Sequence, residues 1–354
     1  NTILDARIKG IPGSVDPFPL KEIKNKNWNI LKEDLPMPIM VLKRNQFNHN
    51  LKTFAEYLKK NNLSIAPHGK TTMSPQIFSQ QLDSGAWGIT AGAINQIQVM
   101  YKYGVKKILL ANQLLGKSHL KTISNYINND SNFSFYCFID SIDQFKNIEH
   151  NLKGVELINP INLLPEIGAK NGRTGIRSKK DFLELVEKIA KNKSNNFRFS
   201  GISSYEGIAA VAMQGSQVVH DFCSFIEEII NEIPSNYFSN LKELLITAGG
   251  STHFDIVGER FSKLELSIPI KILLRSGCYI THDHGPYLEA LKTAKEDKSR
   301  HWDRDLQPAL EVWSYVQSIP EKNLAFLTMG KRDVPYDSGL PKPLKRFRPG
   351  EGYL

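Results

Sequence analysis

Between residues 63 and 274 short apolar runs alternate with longer stretches of helical spacing, and this alternation restricts the fold more than any other property of the chain. The runs lie at 63–67, 86–90, 107–111, 133–139, 161–167, 197–203, 241–247 and 270–274. Hydrophobic residues within each run are nearly continuous, the pattern of parallel strands covered on both faces. Between the runs apolar residues recur every three or four positions. The clearest case is 180–191, where Phe182, Leu185, Val186 and Ile189 mark one face of a helix. The eight runs, each but the last followed by a helix-like stretch, fill about 210 to 220 residues, the size of a small (β/α)8 TIM barrel. A doubly wound open sheet is the competing α/β architecture, and the count of eight favours the barrel.

After residue 300 the pattern changes. Stretches 309–318 and 324–329 read as strands punctuated by Pro and Gly, and 38–42 is a strand candidate that could join them. We therefore expect a barrel domain over 36–300 and a β-rich second domain built from 1–35 and 301–354, incomplete at its C-terminal end. The three cysteines, Cys137, Cys223 and Cys278, are far apart, which excludes a disulfide scaffold or a zinc ribbon. They point to a reducing, cytoplasmic compartment. No apolar run nears the ~20 residues needed to span a bilayer, so no membrane association is expected. The net charge of +9 raises nucleic acid as a partner. No basic helix or aromatic-interleaved patch accompanies it, so we expect none, and an anionic small ligand accounts for a basic site as well.

In a barrel of this kind function gathers at the C-terminal ends of the strands. Reading the residues that follow each run gives His68-Gly69-Lys70, Thr90, Asn112-Gln113, Asp140, Glu166, Tyr205-Glu206-Gly207, Gly249-Gly250-Ser251 and Arg275-Ser276-Gly277-Cys278. Each cluster alone is ordinary turn chemistry. Together on one rim they describe an active site. The two glycine-rich clusters ending the seventh and eighth runs suit a phosphate, because glycine lets backbone N–H groups approach an anion. Lys70 ends the first run, and partial burial there would lower its pKa and leave a nucleophilic amine able to form a Schiff base.

Taken in order, several segments resemble the pyridoxal-phosphate enzymes of fold type III, within them the D-threonine aldolase and D-serine dehydratase (amino-acid deaminase-like) group. They are Ala66-Pro67-His68-Gly69-Lys70-Thr71-Thr72, Gly85-Ala86-Trp87-Gly88-Ile89-Thr90, Leu109-Leu110-Ala111-Asn112-Gln113, Gly172-Arg173-Thr174-Gly175-Ile176-Arg177, Tyr205-Glu206-Gly207, Ala248-Gly249-Gly250-Ser251 and Leu274-Arg275-Ser276-Gly277-Cys278-Tyr279. The resemblance runs from about residue 28 to 345. It implies an alanine racemase-like barrel with a β-domain, pyridoxal 5'-phosphate as cofactor and a D-amino acid as substrate.

The resemblance also assigns residues. Lys70 matches the Schiff-base lysine, with His68 packed beside it. Arg173 matches an arginine lining the cofactor, with Arg177 a weaker match, and Tyr205 an aromatic near the pyridine ring. Gly249, Gly250 and Ser251, with Ser276, Gly277 and Cys278, match the phosphate cup, and Arg275 an arginine against the pyridine nitrogen. The activity implied is a lyase on D-β-hydroxy amino acids, by dehydration and deamination of D-serine-like substrates or aldol cleavage of D-threonine-like ones. An amino-acid racemase and a non-catalytic pyridoxal-phosphate-binding protein are the alternatives. A homodimer is implied, and so is a divalent metal, zinc or manganese, held by a His-x-Cys or His-x-Asp pair near the C-terminus. We expect no such pair in the tail. His282-Asp283-His284 has suitable residue types but follows the eighth run, where a polar loop is the plainer account. The metal ligands are left unassigned.

Overall fold

A computed structural model of the chain describes residues 2–207, 215–336 and 339–353. The chain divides into two compact units, one of His49–Ile280 and Glu289–Leu306, the other of Asn1–Asn48, Thr281–Leu288 and Gln307–Leu354. Against the expected boundaries at 36 and 300, residues 36–48 and 281–288 lie in the smaller unit and 301–306 in the larger.

The larger unit is a barrel of eight parallel strands: β1 Ser64–Ile65, β2 Ile89–Ala91, β3 Lys107–Gln113, β4 Ser134–Ile139, β5 Ile161–Ile167, β6 Gly201–Ser204, β7 Leu244–Ala248 and β8 Ile270–Leu274. Neighbours in sequence are neighbours in the sheet, and β8 pairs with β1 through Leu273 opposite Ser64. Trp87 N–H donates to Ile65 O at 2.8 Å and Thr90 N–H to Pro67 O at 2.9 Å, which closes the ring between β1 and β2. A short strand, Phe197–Phe199, also pairs with β5. The expected sixth run, 197–203, is thus interrupted at Ser200, whose hydroxyl donates to the buried Asn162 Oδ1.

The helices follow from the amphipathic stretches: α1 Arg44–Lys60, α2 Pro75–Asp83, α3 Ile94–Lys102, α4 Lys117–Asn129, α5 Ile142–Asn151, α6 Lys179–Ala190, α7 Ser216–Asn231, α8 Phe254–Phe261 and α9 Pro286–Glu296. In α6 the buried residues are Phe182, Leu185, Val186 and Ile189, the face read from the sequence. α9 follows the last strand, which the sequence reading left without a helix. α1, ahead of β1, carries a buried face of Phe47, Phe54 and Tyr57 that was likewise unread.

Ala66, Leu109, Phe138, Leu164, Leu245 and Leu273 pack together in the barrel interior. Strand side chains alternate, so the spacing of two that brings Leu164 and Leu273 inward puts Glu166 and Arg275 in the next layer toward the C-terminal rim. That layer is where the apolar filling gives way to polar chemistry.

In the smaller unit Ile39–Leu42 pairs antiparallel with Leu310–Trp313, so the strand candidate at 38–42 does join the tail. Val316–Glu321 and Leu324–Leu327 form a hairpin. The expected strand over 309–318 is therefore two, parted at Ser314 and Tyr315. Leu4, Ile11 and Phe18 form a small separate core there. No helix among the described residues is long and apolar enough to cross a membrane.

Candidate active site

Lys70 lies in a single tight turn, Gly69–Thr71, just past β1. The turn is packed from below. A Cβ on Gly69 would come within 2.4 Å of Met100 Cε and 3.1 Å of Ile89 Cγ2 and Phe78 Cε1, so any larger residue would have to displace the Met100 side chain. The side chain of Lys70 is exposed at the rim, which corrects the expectation of partial burial. His68 Nδ1 accepts the Lys70 N–H at 3.5 Å. Burial, reinforced by the cations of Lys70, Arg275 and Arg173, holds the His68 pKa down to about 3, so its ring is neutral.

Two loops meet beside this turn. Gly277 lies so close to it that a Cβ would be 2.4 Å from Thr71 Oγ1 and 2.8 Å from His68 O. Ser276 Oγ donates to Gly250 O at 2.8 Å, and Cys278 N–H to Ser251 Oγ at 3.4 Å. The ends of β7 and β8 are thereby laced together. Tyr205, after β6, lies against Gly250, where a Cβ would come within 2.8 Å of Tyr205 Cε2. Burial pushes the Tyr205 phenol pKa up.

Arg275 is buried in the barrel. Its Nη1 donates to Thr247 Oγ1 at 2.8 Å and its Nη2 to Ser204 O at 2.6 Å, with the guanidinium 5.2 Å from the Phe138 ring centre. Burial lowers its pKa, while Glu206 and Glu166 favour its charged form.

Arg173 stands on an exposed loop after β5. Arg177 does not extend toward the rest of the site. Its guanidinium holds the loop from within, donating to Ala169 O (3.2 Å), Gly175 O (2.8 Å) and Arg173 O (3.1 Å). The loop is tied down by Thr174 Oγ1 to Glu166 Oε1 (3.1 Å) and Gly175 N–H to Asp140 Oδ2 (3.1 Å). Gln113 Nε2 donates to both carboxylates, at 3.1 Å to Asp140 and 2.7 Å to Glu166. Burial raises the Glu166 pKa against the pull of these hydrogen bonds.

The residues picked from the sequence thus fall into two groups. His68, Lys70, Tyr205, Gly249, Gly250, Ser251, Ser276, Gly277 and Cys278 are laced side by side, and Arg275 lies under them. Arg173 comes from the separate loop after β5 but lines a small pocket together with Tyr205 and Glu166, and it acts electrostatically on His68, Tyr205 and Arg275. Sequence reasoning named Gln113, Asp140, Glu166 and Glu206 as strand-end residues without giving them a role.

Metal ligation has less support. Among the described residues no three His, Cys, Asp or Glu side chains converge as a cation's ligands. The Asp283 carboxylate caps the start of α9, accepting Gly285 N–H at 2.8 Å and Tyr287 N–H at 3.1 Å. That makes the 282–284 segment a helix cap, the plainer account. The tail does carry one His-x-Asp pair, His301 and Asp303, contrary to expectation. His301 lies 3.1 Å from Glu259 and Asp303 faces Lys60 at 3.9 Å, both with exposed side chains.

No family model matches the chain. A D-threonine aldolase from Arthrobacter sp. is 21% identical over 323 residues, which covers 86% of this chain and 74% of the relative. The crystal structure of D-threonine aldolase from Filomicrobium marinum superposes with a TM-score of 0.72 at 21% identity, covering 90% of this chain and 82% of that one. The chain is thus similar in sequence to a D-threonine aldolase and shares its fold. D-threo-3-hydroxyaspartate dehydratase from Delftia sp. HT23 shares the fold at a TM-score of 0.58 and 16% identity, with 80% of this chain and 68% of that one covered.

Proposed function

We propose that this chain is a pyridoxal-phosphate-dependent lyase acting on D-β-hydroxy amino acids, by dehydration and deamination of D-serine-like substrates or aldol cleavage of D-threonine-like ones. The observation that carries the reading is the lacing of the Lys70 turn to the Ser276–Cys278 turn across Gly277, on the functional rim of a barrel related in sequence to an aldolase. We also infer a homodimer in a reducing, cytoplasmic compartment, the latter because Cys137, Cys223 and Cys278 are all free thiols.

The residues fit the cofactor. Lys70, which is exposed and makes no ion pair with a carboxylate among the described residues, would hold it through Nζ. Ser251 and the Gly277 turn would receive its phosphate, and Tyr205 would flank its ring. When bound, pyridoxal phosphate supplies an electron sink for charge developing at Cα of the substrate. Arg275 and Arg173 provide positive potential for an anionic phosphate and a substrate carboxylate. The neutral His68 adds no charge beside the Lys70 amine, so Nζ is free to carry a proton between substrate and solvent. Among the described residues no three His, Cys, Asp or Glu side chains converge to hold the implied divalent metal, and no step is derived through one.

The test is a substrate panel on purified protein with added pyridoxal phosphate. Borohydride should fix the cofactor on the Lys70 peptide, and Lys70→Ala should abolish this and the visible absorbance band. Ammonia from D-serine marks dehydration, and glycine with acetaldehyde from D-threonine marks aldol cleavage. Inversion of either amino acid without those products would make the protein a racemase, and a colourless protein that takes up no cofactor would overturn the reading.

A further inference from the structure

Gly249 has φ +80°, the left-handed region, and Gly250 follows it. Successive N–H groups in this arrangement form a nest that binds an anion. The nest is filled from within. The Glu206 carboxylate, 1% exposed, accepts Gly249 N–H through Oε2 at 3.0 Å and Gly250 N–H through Oε1 at 2.6 Å. We propose that Glu206 is the resident anion of the Gly249–Gly250 nest, and that the cofactor phosphate is bound one step further along, by Ser251 and the Gly277 turn. This rests on the cofactor reading above and deepens it.

Three further features agree. The Ser276 hydroxyl proton is spent on Gly250 O, so Ser276 is a strut for the nest, not a phosphate donor. Ser251 Oγ accepts from Cys278 N–H and keeps its own proton to donate. Arg275 lies where Glu206 favours its charged form, so the buried carboxylate has a cation to balance it. Glu206 acts through the two glycines and is a positioning residue. It holds the β7 turn in one conformation, which aims Ser251. Two charged hydrogen bonds to backbone amides are worth enough that losing them should loosen the turn markedly.

The test uses Glu206→Ala, whose empty space admits a small carboxylate, and Glu206→Gln, which fills the space but offers one acceptor and an amide that opposes the second N–H. Both should have a lower thermal midpoint than the wild type with no cofactor present. Formate should raise the midpoint of Glu206→Ala toward wild type, and chloride at equal ionic strength should not. It should do little for the wild type or for Glu206→Gln, whose nests are occupied. Pyridoxal-phosphate affinity of Glu206→Ala, read by absorbance titration, should fall by about tenfold or more and recover in formate.

A wild-type midpoint in either variant, or formate doing no more than chloride, removes Glu206 from this role. Should Glu206→Ala fail to fold, the Glu206→Gln midpoint decides alone. Wild-type protein that binds no pyridoxal phosphate sinks the cofactor reading and the phosphate assignment, while the formate arm still decides the nest.

Discussion

His68 and Lys70 are two residues apart and meet opposite fates. The lysine is exposed at the rim. The histidine is pulled into the barrel wall, where it bridges to Thr90 and loses its proton affinity. This has a consequence for stability. In the unfolded chain the imidazole titrates near 6.5, and in the folded chain burial first and neighbouring cations second bring it down to about 3. Between those values the unfolded state binds the extra proton, so folding loses stability as pH falls below about 6.5 and gains nothing further above it. One such group steepens the pH dependence by at most about 1.4 kcal/mol per pH unit. His68→Asn should therefore lose less stability than wild type between pH 7 and pH 4, read as urea midpoints across a pH series. Parallel curves for the two proteins would mean that His68 keeps its proton when folded. His253 and His282 are shifted the same way by burial, so the wild-type curve should still slope after the substitution.

At the scale of elements, strand ends were readable and loop interiors were not. Each short apolar run reads as a strand because parallel strands covered on both faces carry nearly continuous apolar residues, and the residue after it then reads as facing the rim. That logic reached Lys70, Tyr205, Gly250 and Gly277. It could not reach Arg177, because a guanidinium that binds backbone carbonyls leaves no pattern in the side chains around it. It missed α1 because that helix precedes the first run and was outside the repeating unit.

The loop after β5 is held by this unreadable chemistry. Gly168 N–H donates to Ile176 O at 2.9 Å and Ile176 N–H to Glu166 O at 2.8 Å, closing the loop on its own strand. A Cβ on Gly168 would come within 2.4 Å of Thr174 O, so the two limbs touch. Arg177→Lys keeps the charge but cannot span three carbonyls. Losing charged hydrogen bonds worth about 1.5–3 kcal/mol each should open the loop locally. The expected result is faster amide hydrogen exchange at Gly168, Gly175 and Ile176, by about tenfold or more, with the β4 and β7 amides unchanged. Uniformly unchanged protection would show that the glycine contact and the Asp140 and Glu166 bonds suffice without Arg177.

On the scale of the whole molecule, the barrel is finished by a segment that comes after all its strands. Residues 289–306 return to the larger unit, and Arg300 is their anchor. Its Nε and Nη2 donate to the two oxygens of Asp255 at 2.9 and 2.6 Å, and Nη2 also reaches Thr252 O at 2.5 Å. The pair is almost wholly buried, with 3% and 0% of the two side chains exposed. Asp255 opens α8, next to the loop that carries Gly250 and Ser251, so the anchor fixes the site's backbone from behind. Trp302 adds an aromatic contact at 5.1 Å from Phe254, in a cluster with Phe54 and Tyr57. Burying two charges costs nearly what their attraction returns, but removing one partner leaves the other stranded in the interior. Arg300→Ala should therefore cost about 3–5 kcal/mol in urea unfolding. Asp255→Ala should cost a similar amount. The double variant should cost clearly less than the sum, because no charge is left unpaired. Strict additivity in that cycle would mean that the two side chains do not depend on each other, and that the returning segment is held by Trp302 and its aromatic neighbours instead.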